Sequence, residues 1–369
     1  MSLFDHLAIV DEDGSYINQK HNLVDVLFLI LAAVSSGCSG WSDIQQFGDL
    51  KLSWLRQFRP FTHGIPRRHA IANIMRTVNT ESLVLSIFSW VNEMRAQADK
   101  PLIAIDGKTI RGASKRSSKT FHSVGAYDVN NGLAIYQEMA EGKGQEIKTV
   151  QSVLSMLNIS GALITLDALH AQKATLEAII NRGGNYVIQV KSNQKALFNA
   201  VKSQFDDAFQ YESQMACYES KDKAHGREEK RITFQIPALF DDELQKKWPS
   251  VTSLVAVERH RKIKANTVIE TSFYISSCEI APSYLGNAIR DHWQIENSLH
   301  WVLDVAFRED DCAIYDEQAI ESLTTLKRLA FNLAKQETTR NQSMKSKLHR
   351  ASLSDEYRAL MIFGNVKSV

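Results

Sequence analysis

Two aspartates occupy matching places in this chain. Ile105-Asp106-Gly107 and Leu166-Asp167-Ala168 each put a carboxylate directly after a short apolar run. Such strand ends, at the C-terminal edge of an α/β sheet, are where ligands gather. Either aspartate alone also reads as a turn cap; two on strands expected to be neighbours favour a site. A third acid is conspicuous by its surroundings. Leu285, Ile289, His292, Glu296, Leu299 and Leu303 recur at three- and four-residue intervals, so Glu296 is expected within the apolar stripe of a helix over about 285–305. A buried carboxylate needs a basic partner, a proton or a metal.

Two aspartates and a glutamate meeting at one sheet edge repel each other until cations neutralise them, and hard oxygen ligands suit Mg²⁺ or Mn²⁺. Two such ions about 3.5–4 Å apart activate a hydroxyl on one side of a phosphorus and stabilise the leaving oxygen on the other. Asp106, Asp167 and Glu296 are therefore expected as the metal ligands and catalytic residues of phosphodiester chemistry, with no covalent enzyme intermediate. Asp304 is a rival third ligand, two turns further along the helix.

Basic groups cluster nearby. Between Gly107 and Tyr127 stand Lys108, Arg111, Lys115, Arg116 and Lys119 with no acid. They read either as a grip on phosphates, with Lys108 and Arg111 nearest the first aspartate, or as a solvated loop. Lys191, Asn193 and Gln194 follow a strand expected near the site, where they reach a phosphate or base, or form a simple turn. His300, one turn beyond Glu296, is placed to orient a ligand or approach a phosphate. Trp293 and Trp301 fit base stacking, and fit a place in the core better. Arg259-His260-Arg261-Lys262 reads as a solvated face.

The elements that must position these groups follow from periodicity. Residues 22–98 read as helices: Leu23–Val34, a second through Ile44 and Leu50–Trp54, and a longer one after Thr80, with breaks at Ser35–Ser42 and Pro60/Pro66. They suggest a helical N-terminal domain over 1–100. After Pro101 come strands at Leu102–Ile105, Phe121–Tyr127 and Leu133–Met139, the last two joined by the Asn130-Asn131-Gly132 turn. A helix through Ile147–Leu157, a strand at Ala162–Leu166, a helix over 170–181 stopped by Gly183-Gly184, and a strand at Tyr186–Val190 complete the order of a ribonuclease-H-like mixed sheet. Strand-like runs at Ile232–Ile236, Ser253–Val257 and Val268–Ser276 suggest a β-rich insertion at about 200–282 within a catalytic domain over 101–369. The last thirty or so residues are expected to be loosely ordered.

Composition narrows the class without naming it. The 369 residues, 44% hydrophobic and 23% charged, suit a soluble globular protein with a sizeable core. Lys and Arg total 43 against 42 Asp and Glu, so a nucleic-acid partner must be held by local patches. Cys38, Cys217, Cys278 and Cys312 form no CxxC pair, which argues against a zinc site or disulfide framework and for a reducing cytosol. The longest apolar run, Val26–Val34, is half the roughly 20 residues of a membrane span. The N-terminus has no signal-peptide pattern.

IAIDGKTIRGA around Asp106, ITLDALHAQ around Asp167, YVIQVKSNQ at 186–194, HGREEKR at 225–231 and, above all, IRDHWQIENSLHWVLDVAFRED at 289–310 resemble the transposases of the H-repeat-associated insertion-sequence family. WSDIQQFG at 41–48 and HGIP at 63–66 extend the likeness to the N-terminal part. The resemblance implies a ribonuclease-H-like core using an Asp-Asp-Glu triad at Asp106, Asp167 and Glu296, with 1–100 assisting DNA-end binding or assembly. The expected function is a DNA transposase that cuts transposon ends and joins them to target duplex DNA with two Mg²⁺ or Mn²⁺ ions, as a cytosolic homodimer on DNA.

The chain departs from the wider class in places. Where a Tyr, an Arg and a Lys flank the glutamate in many relatives, this chain has Ile289, His292 and Leu303. Where arginines follow the Glu-Asp pair, it has Asp311-Cys312-Ala313-Ile314-Tyr315. Two alternatives therefore stand beside the transposase: a silent remnant that only binds DNA, and a metal-dependent nuclease that does not join ends.

Overall fold

The computed structural model describes residues 2–12, 20–95, 98–114, 120–140, 144–211, 215–224, 227–263, 266–314 and 316–364. Lys115, Arg116 and Lys119 of the basic stretch, His225 and Gly226 of the HGREEKR motif, and Tyr315 lie outside these.

Among the described residues, nine strands form one mixed sheet: β1 (Leu102–Thr109), β2 (His122–Asp128), β3 (Leu133–Ala140), β4 (Leu163–Leu166), β5 (Asn185–Val190), β6 (Ala216–Ala224), β7 (Arg227–Pro237), β8 (Ser253–Ile263) and β9 (Asn266–Ser276). Their order is β3-β2-β1-β4-β5-β9-β8-β7-β6. β1, β2 and β3 are antiparallel neighbours, while β1, β4 and β5 run parallel. The Asn130-Asn131-Gly132 turn closes the β2–β3 hairpin, with Gly132 at φ 70°, a conformation open to glycine. This mixed sheet, with helices before and between its strands, is the ribonuclease-H-like class the sequence predicts.

The β-rich insertion continues the main sheet, since β9 pairs antiparallel with β5. It also starts later than predicted. A helix, Lys195–Gln210, occupies the first part of the stretch, with Leu197, Val201, Phe205 and Ala208 buried at helical spacing. Its apolar stripe covers one face of the sheet, where Phe205 packs on Phe273 of β9. The β part begins at Ala216.

Helices Leu23–Val34, Trp41–Leu55 and Thr80–Met94 form as predicted; Leu3–Leu7 and Arg68–Thr77 are additional. The helix Glu317–Gln336 packs on β3 and also on Leu23–Val34, Arg68–Thr77 and Thr80–Met94. One apolar core thus runs from the N-terminal helices into the sheet, across the boundary expected near residue 100. The C-terminal stretch is more ordered than its composition suggests. Helices Met344–Leu353 and Asp355–Phe363 end the described chain, and the buried Arg358 guanidinium lies 4.0 Å from the Trp54 ring centre. Among the described residues, no helix is long and apolar enough to cross a membrane.

What positions the site is the two-residue alternation of the strands. Helix Pro282–Asp291 packs Leu285, Ala288 and Ile289 against Leu102, Leu163, Val187, Val255 and Val257. The face that carries Leu102 on β1 also carries Asp106 and Lys108; the face of Leu163 on β4 carries Thr165, with Asp167 next in the same sense; that of Val187 on β5 carries Gln189 and leads to Lys191. Asp106 and Asp167 therefore share the side of the sheet covered by the helix that leads to Glu296.

Candidate active site

The three acids reach one place by different local routes. Asp106 does not follow β1, as predicted, but lies within it, opposite Gly125 of β2. The strand is extended because β2 keeps pairing with it as far as Thr109, whereas its pairing with β4 ends at Ala104↔Thr165. Asp106 stands just beyond that end, where the sheet opens into a cleft. Asp167 follows β4 as predicted and also does the work of a turn cap: its Oδ1 accepts a hydrogen bond from the Leu169 N–H at 3.1 Å. The turn-cap reading of this residue holds, and the cap leaves the carboxylate at the cleft.

Glu296 differs from expectation. The helix is interrupted by a π-helical turn, Ile295–His300, before it resumes at Trp301–Val305. A tight step, Ile295 N–H to the His292 carbonyl at 3.2 Å, precedes it; the apolar stripe passes through Ile295 and then through Leu299 and Leu303 as predicted, and Glu296 is exposed. It is not a buried charge. π-turns inside helices are frequent at functional sites, and Glu296 stands on this one at the rim of the cleft.

Asp106, Asp167 and Glu296 line this cleft of about 190 Å³, together with Thr165, Gln189 and Lys191. Burial pushes the Asp106 carboxyl up to about 7, and the charges of Asp167, Glu296 and Glu146 add to the rise against a hydrogen bond from Gly107. Glu146 is a fourth acid that sequence reasoning missed. It stands in the first turn of helix Glu146–Met156, and its carboxylate oxygen lies 3.4 Å from where a Cβ on Gly107 would be. Nothing in its local pattern separates it from an ordinary acid at a helix start.

Three histidines surround the acids. His300 Nδ1 lies 3.6 Å from Asp106 Oδ2, His170 Nε2 lies 3.6 Å from Asp167 Oδ1, and His292 Nδ1 shares a 2.9 Å hydrogen bond with Thr165 Oγ1. Burial drives His300 down to about 3, helped by Arg328 and Lys108, and His292 down to about 4. It lowers His170 as well. The site thus has neutral imidazoles beside carboxylates, and the imidazoles do not offset its negative charge.

Among the described residues, no three His, Cys, Asp or Glu side chains stand close enough to hold an ion as they are placed. The donor set nevertheless fits one. Mg²⁺ keeps several waters and is held through one or two carboxylates, so hard oxygens around an open cleft suit it. The raised Asp106 carboxyl reflects burial first and, after it, the charges of Asp167, Glu296 and Glu146, both of which a bound cation would offset.

The basic residues divide. Lys108, predicted to grip phosphate, is buried; its Nζ donates to Asp304 Oδ1 at 2.5 Å and lies 3.6 Å from Glu309 Oε2. That is a structural role, since its charge is turned away from solvent, and it also removes Asp304 as a rival ligand. Arg111 is 74% exposed, with Asp310 Oδ2 4.0 Å away, and Lys191 is exposed at the cleft. Both can reach a phosphate. Asn193 and Gln194 donate to the carbonyls of Ala168 and Ala171 at 2.8 and 3.0 Å, tying the loop after β5 to the loop after Asp167. His300 is buried against Asp106 and faces no open surface for a phosphate. Trp293 and Trp301, which fit the core better by sequence, are 53% and 60% exposed. Ile289 and Leu303 are packed in the core, and His292 serves Thr165. Arg259, His260 and Arg261 pair with Glu270, Glu258 and Glu229 on the insertion, the solvated face predicted.

A family model described as "Transposase DDE domain" matches residues 97–333, and one for the region associated with that domain matches residues 4–91. The chain is 32% identical to "H repeat-associated putative transposase YhhI" of Escherichia coli (strain K12), over 98% of each protein. It is 31% identical to "Putative transposase YncI" of Escherichia coli O157:H7, over 90% of this chain and 87% of that one. A shorter relative from strain K12, "Inactive transposase YbfQ", is 37% identical over 20% of this chain and 87% of its own length.

Proposed function

The chain belongs to the family of transposases with a DDE domain, and on that premise we propose that it cuts the ends of a transposable DNA element and joins them to target duplex DNA. Asp106, Asp167 and Glu296 hold two Mg²⁺ or Mn²⁺ ions in this reading. Bound there, the ions supply Lewis-acid activation of the attacking hydroxyl and stabilisation of the leaving oxygen. The observation that carries the proposal is the meeting of three acids from β1, the end of β4 and the π-turn in one cleft.

The protein's own groups bind and orient. Lys191 at the cleft, and Arg111, 74% exposed though paired with Asp310, contact phosphates in this reading. Asn193 and Gln194 hold the Asp167 loop, and His300 fixes the side of the cleft behind Asp106. The reaction runs in the bacterial cytosol, on a homodimer that brings two element ends together, with the N-terminal helices assisting.

The test is incubation of the purified chain with DNA carrying the flanks of its own coding region, with and without Mn²⁺. Strand cleavage lost in Asp106→Asn, Asp167→Asn and Glu296→Gln is the expected result. Transfer of the freed 3′-hydroxyl to a second duplex separates a transposase from a nuclease. Salt-sensitive binding without nicking identifies a remnant that only binds DNA. Cleavage that survives all three substitutions sinks the assignment of the site.

A further inference from the structure

Beneath the cleft, β1 and the helix bearing Glu296 are joined by two successive pairs. Asp106 faces His300 at 3.6 Å, and Lys108 faces Asp304 at 2.5 Å. The spacing on the two elements matches: two residues of strand rise about 6.6 Å, and four residues of helix about 6 Å. Lys108 is 7% exposed, Asp304 29% and Glu309 not at all, so the lysine end of the second pair is shielded from water while Asp304 is half-buried.

The pair is anchored from behind. Glu309 Oε2 lies 3.6 Å from Lys108 Nζ, and its Oε1 accepts from Arg328 Nη1 at 3.0 Å on helix Glu317–Gln336. Arg308, with φ 52°, turns the chain so that Glu309 N–H returns to the carbonyl of Leu303 at 3.0 Å. A non-glycine residue in that region is strained, and the turn is kept by the contacts that follow it. Buried Lys327 also acts on Glu309, so the cluster sets Lys108, Arg328 and Lys327 against Asp304 and Glu309.

We propose that Lys108 is a positioning residue, whose clamp on Asp304 sets the register in which the Glu296 helix lies along β1 and so the spacing of the acids. The proposal rests on the reading of those acids as metal ligands. Charge makes this register selective. A slip of one helical turn in one direction brings Asp304 opposite Asp106; a slip in the other brings Glu296 opposite Asp106 and leaves Lys108 against His300. Each alternative opposes like charges or strips a buried lysine of a carboxylate, and specifying register is the best-attested use of a buried ion pair. The π-turn supplies the need, because a helix with a widened turn has lost part of the regular spacing that would otherwise place Glu296.

The test compares wild type with Lys108→Met, Asp304→Asn and the double variant by two measurements on the full chain. One is amide hydrogen exchange over 295–305; the other is Mn²⁺ affinity from the electron paramagnetic resonance of the free ion, with Asp106→Asn and Glu296→Gln as controls. Both single variants should speed exchange in that segment and weaken Mn²⁺ binding about 10-fold or more, the scale for groups that orient ligands. The double variant should be no worse than the poorer single. Wild-type exchange in both variants overturns the clamp. So does unchanged Mn²⁺ affinity when the two control substitutions abolish binding. If Lys108→Met does not fold, Asp304→Asn alone decides on the same readouts. Mn²⁺ binding that ignores the controls refutes the metal reading itself, and exchange then decides whether the clamp stands.

Discussion

The imidazole of His300 lies 3.6 Å from the carboxylate of Asp106, yet the two do not form an ion pair. Burial holds the histidine neutral down to about pH 3 and raises the carboxyl to about 7. A protonated partner would have kept Asp106 ionised at low pH. Instead Asp106 gains no charge from His300, and a proton neutralises it below about pH 7.

The first prediction concerns pH. In metal-free buffer, Asp106 titrates near 7 in the folded chain against 3.8 for its ordinary value. Between these the folded state binds more protons than the unfolded one, so this carboxyl's contribution to stability is full below about 3.8 and is lost as pH rises to about 7. Asp106→Asn lacks the effect. The Tm of the variant minus that of wild type should therefore climb from about pH 4 to pH 7 and then level off. The lowered histidines act in the opposite sense, but both proteins carry them. A difference that stays flat across the range contradicts the account.

Divalent cations should stabilise the chain. A ligand bound only by the folded state adds about 2.7 kcal/mol at 100 times its Kd. Mn²⁺ should raise the wild-type Tm by the equivalent few degrees, and Asp106→Asn or Glu296→Gln should remove most of the rise. Thermal unfolding across a Mn²⁺ series measures it; an equal rise in all three proteins would place the ion elsewhere.

DNA affinity should separate the exposed cations from the buried one. Arg111→Ala and Lys191→Ala should each weaken binding and reduce the slope of log K against log salt by about 1. Lys108→Met should leave that slope unchanged, because its ammonium is held by Asp304 and Glu309. Binding titrations at several salt concentrations give the slopes.

Gly112 carries a steric prediction. A Cβ there would stand 2.3 Å from the Asp310 carbonyl oxygen and 2.8 Å from the Cys312 nitrogen, both backbone atoms. Gly112→Ala must push apart the segment after β1 and the segment after the Glu296 helix, at about 1–3 kcal/mol. A denaturant midpoint equal to that of wild type would show that the two segments do not meet as described.

Much of this was legible in the sequence because it is local. The apolar run before Asp167 and the polar residues after it determine a strand end, and the residue sits there. The Asn130-Asn131-Gly132 turn, the helix Thr80–Met94 and the alternation that puts Asp106 and Lys108 on one face likewise depend on neighbours a few residues apart. The motif around Glu296 pointed to the acid itself.

The tertiary structure decided the rest, through partners distant in the chain. Asp106 lies inside a strand because β2 pairs past it, and Glu146 enters the site because its helix starts beside Gly107. Glu296 lies exposed at the rim, on a π-turn where Ile295 takes the buried place, and periodicity assumes a constant number of residues per turn. Lys108 looked like a phosphate ligand from its place beside Asp106, yet its carboxylate partners come from Asp304 and Glu309. By itself the sequence determined which acids stand as candidates and which face of each strand Asp106 and Lys108 take, because both are properties of short stretches. Only the packed chain decided which of those charges meet each other and which are left for a ligand, because burial and ion pairing act through space.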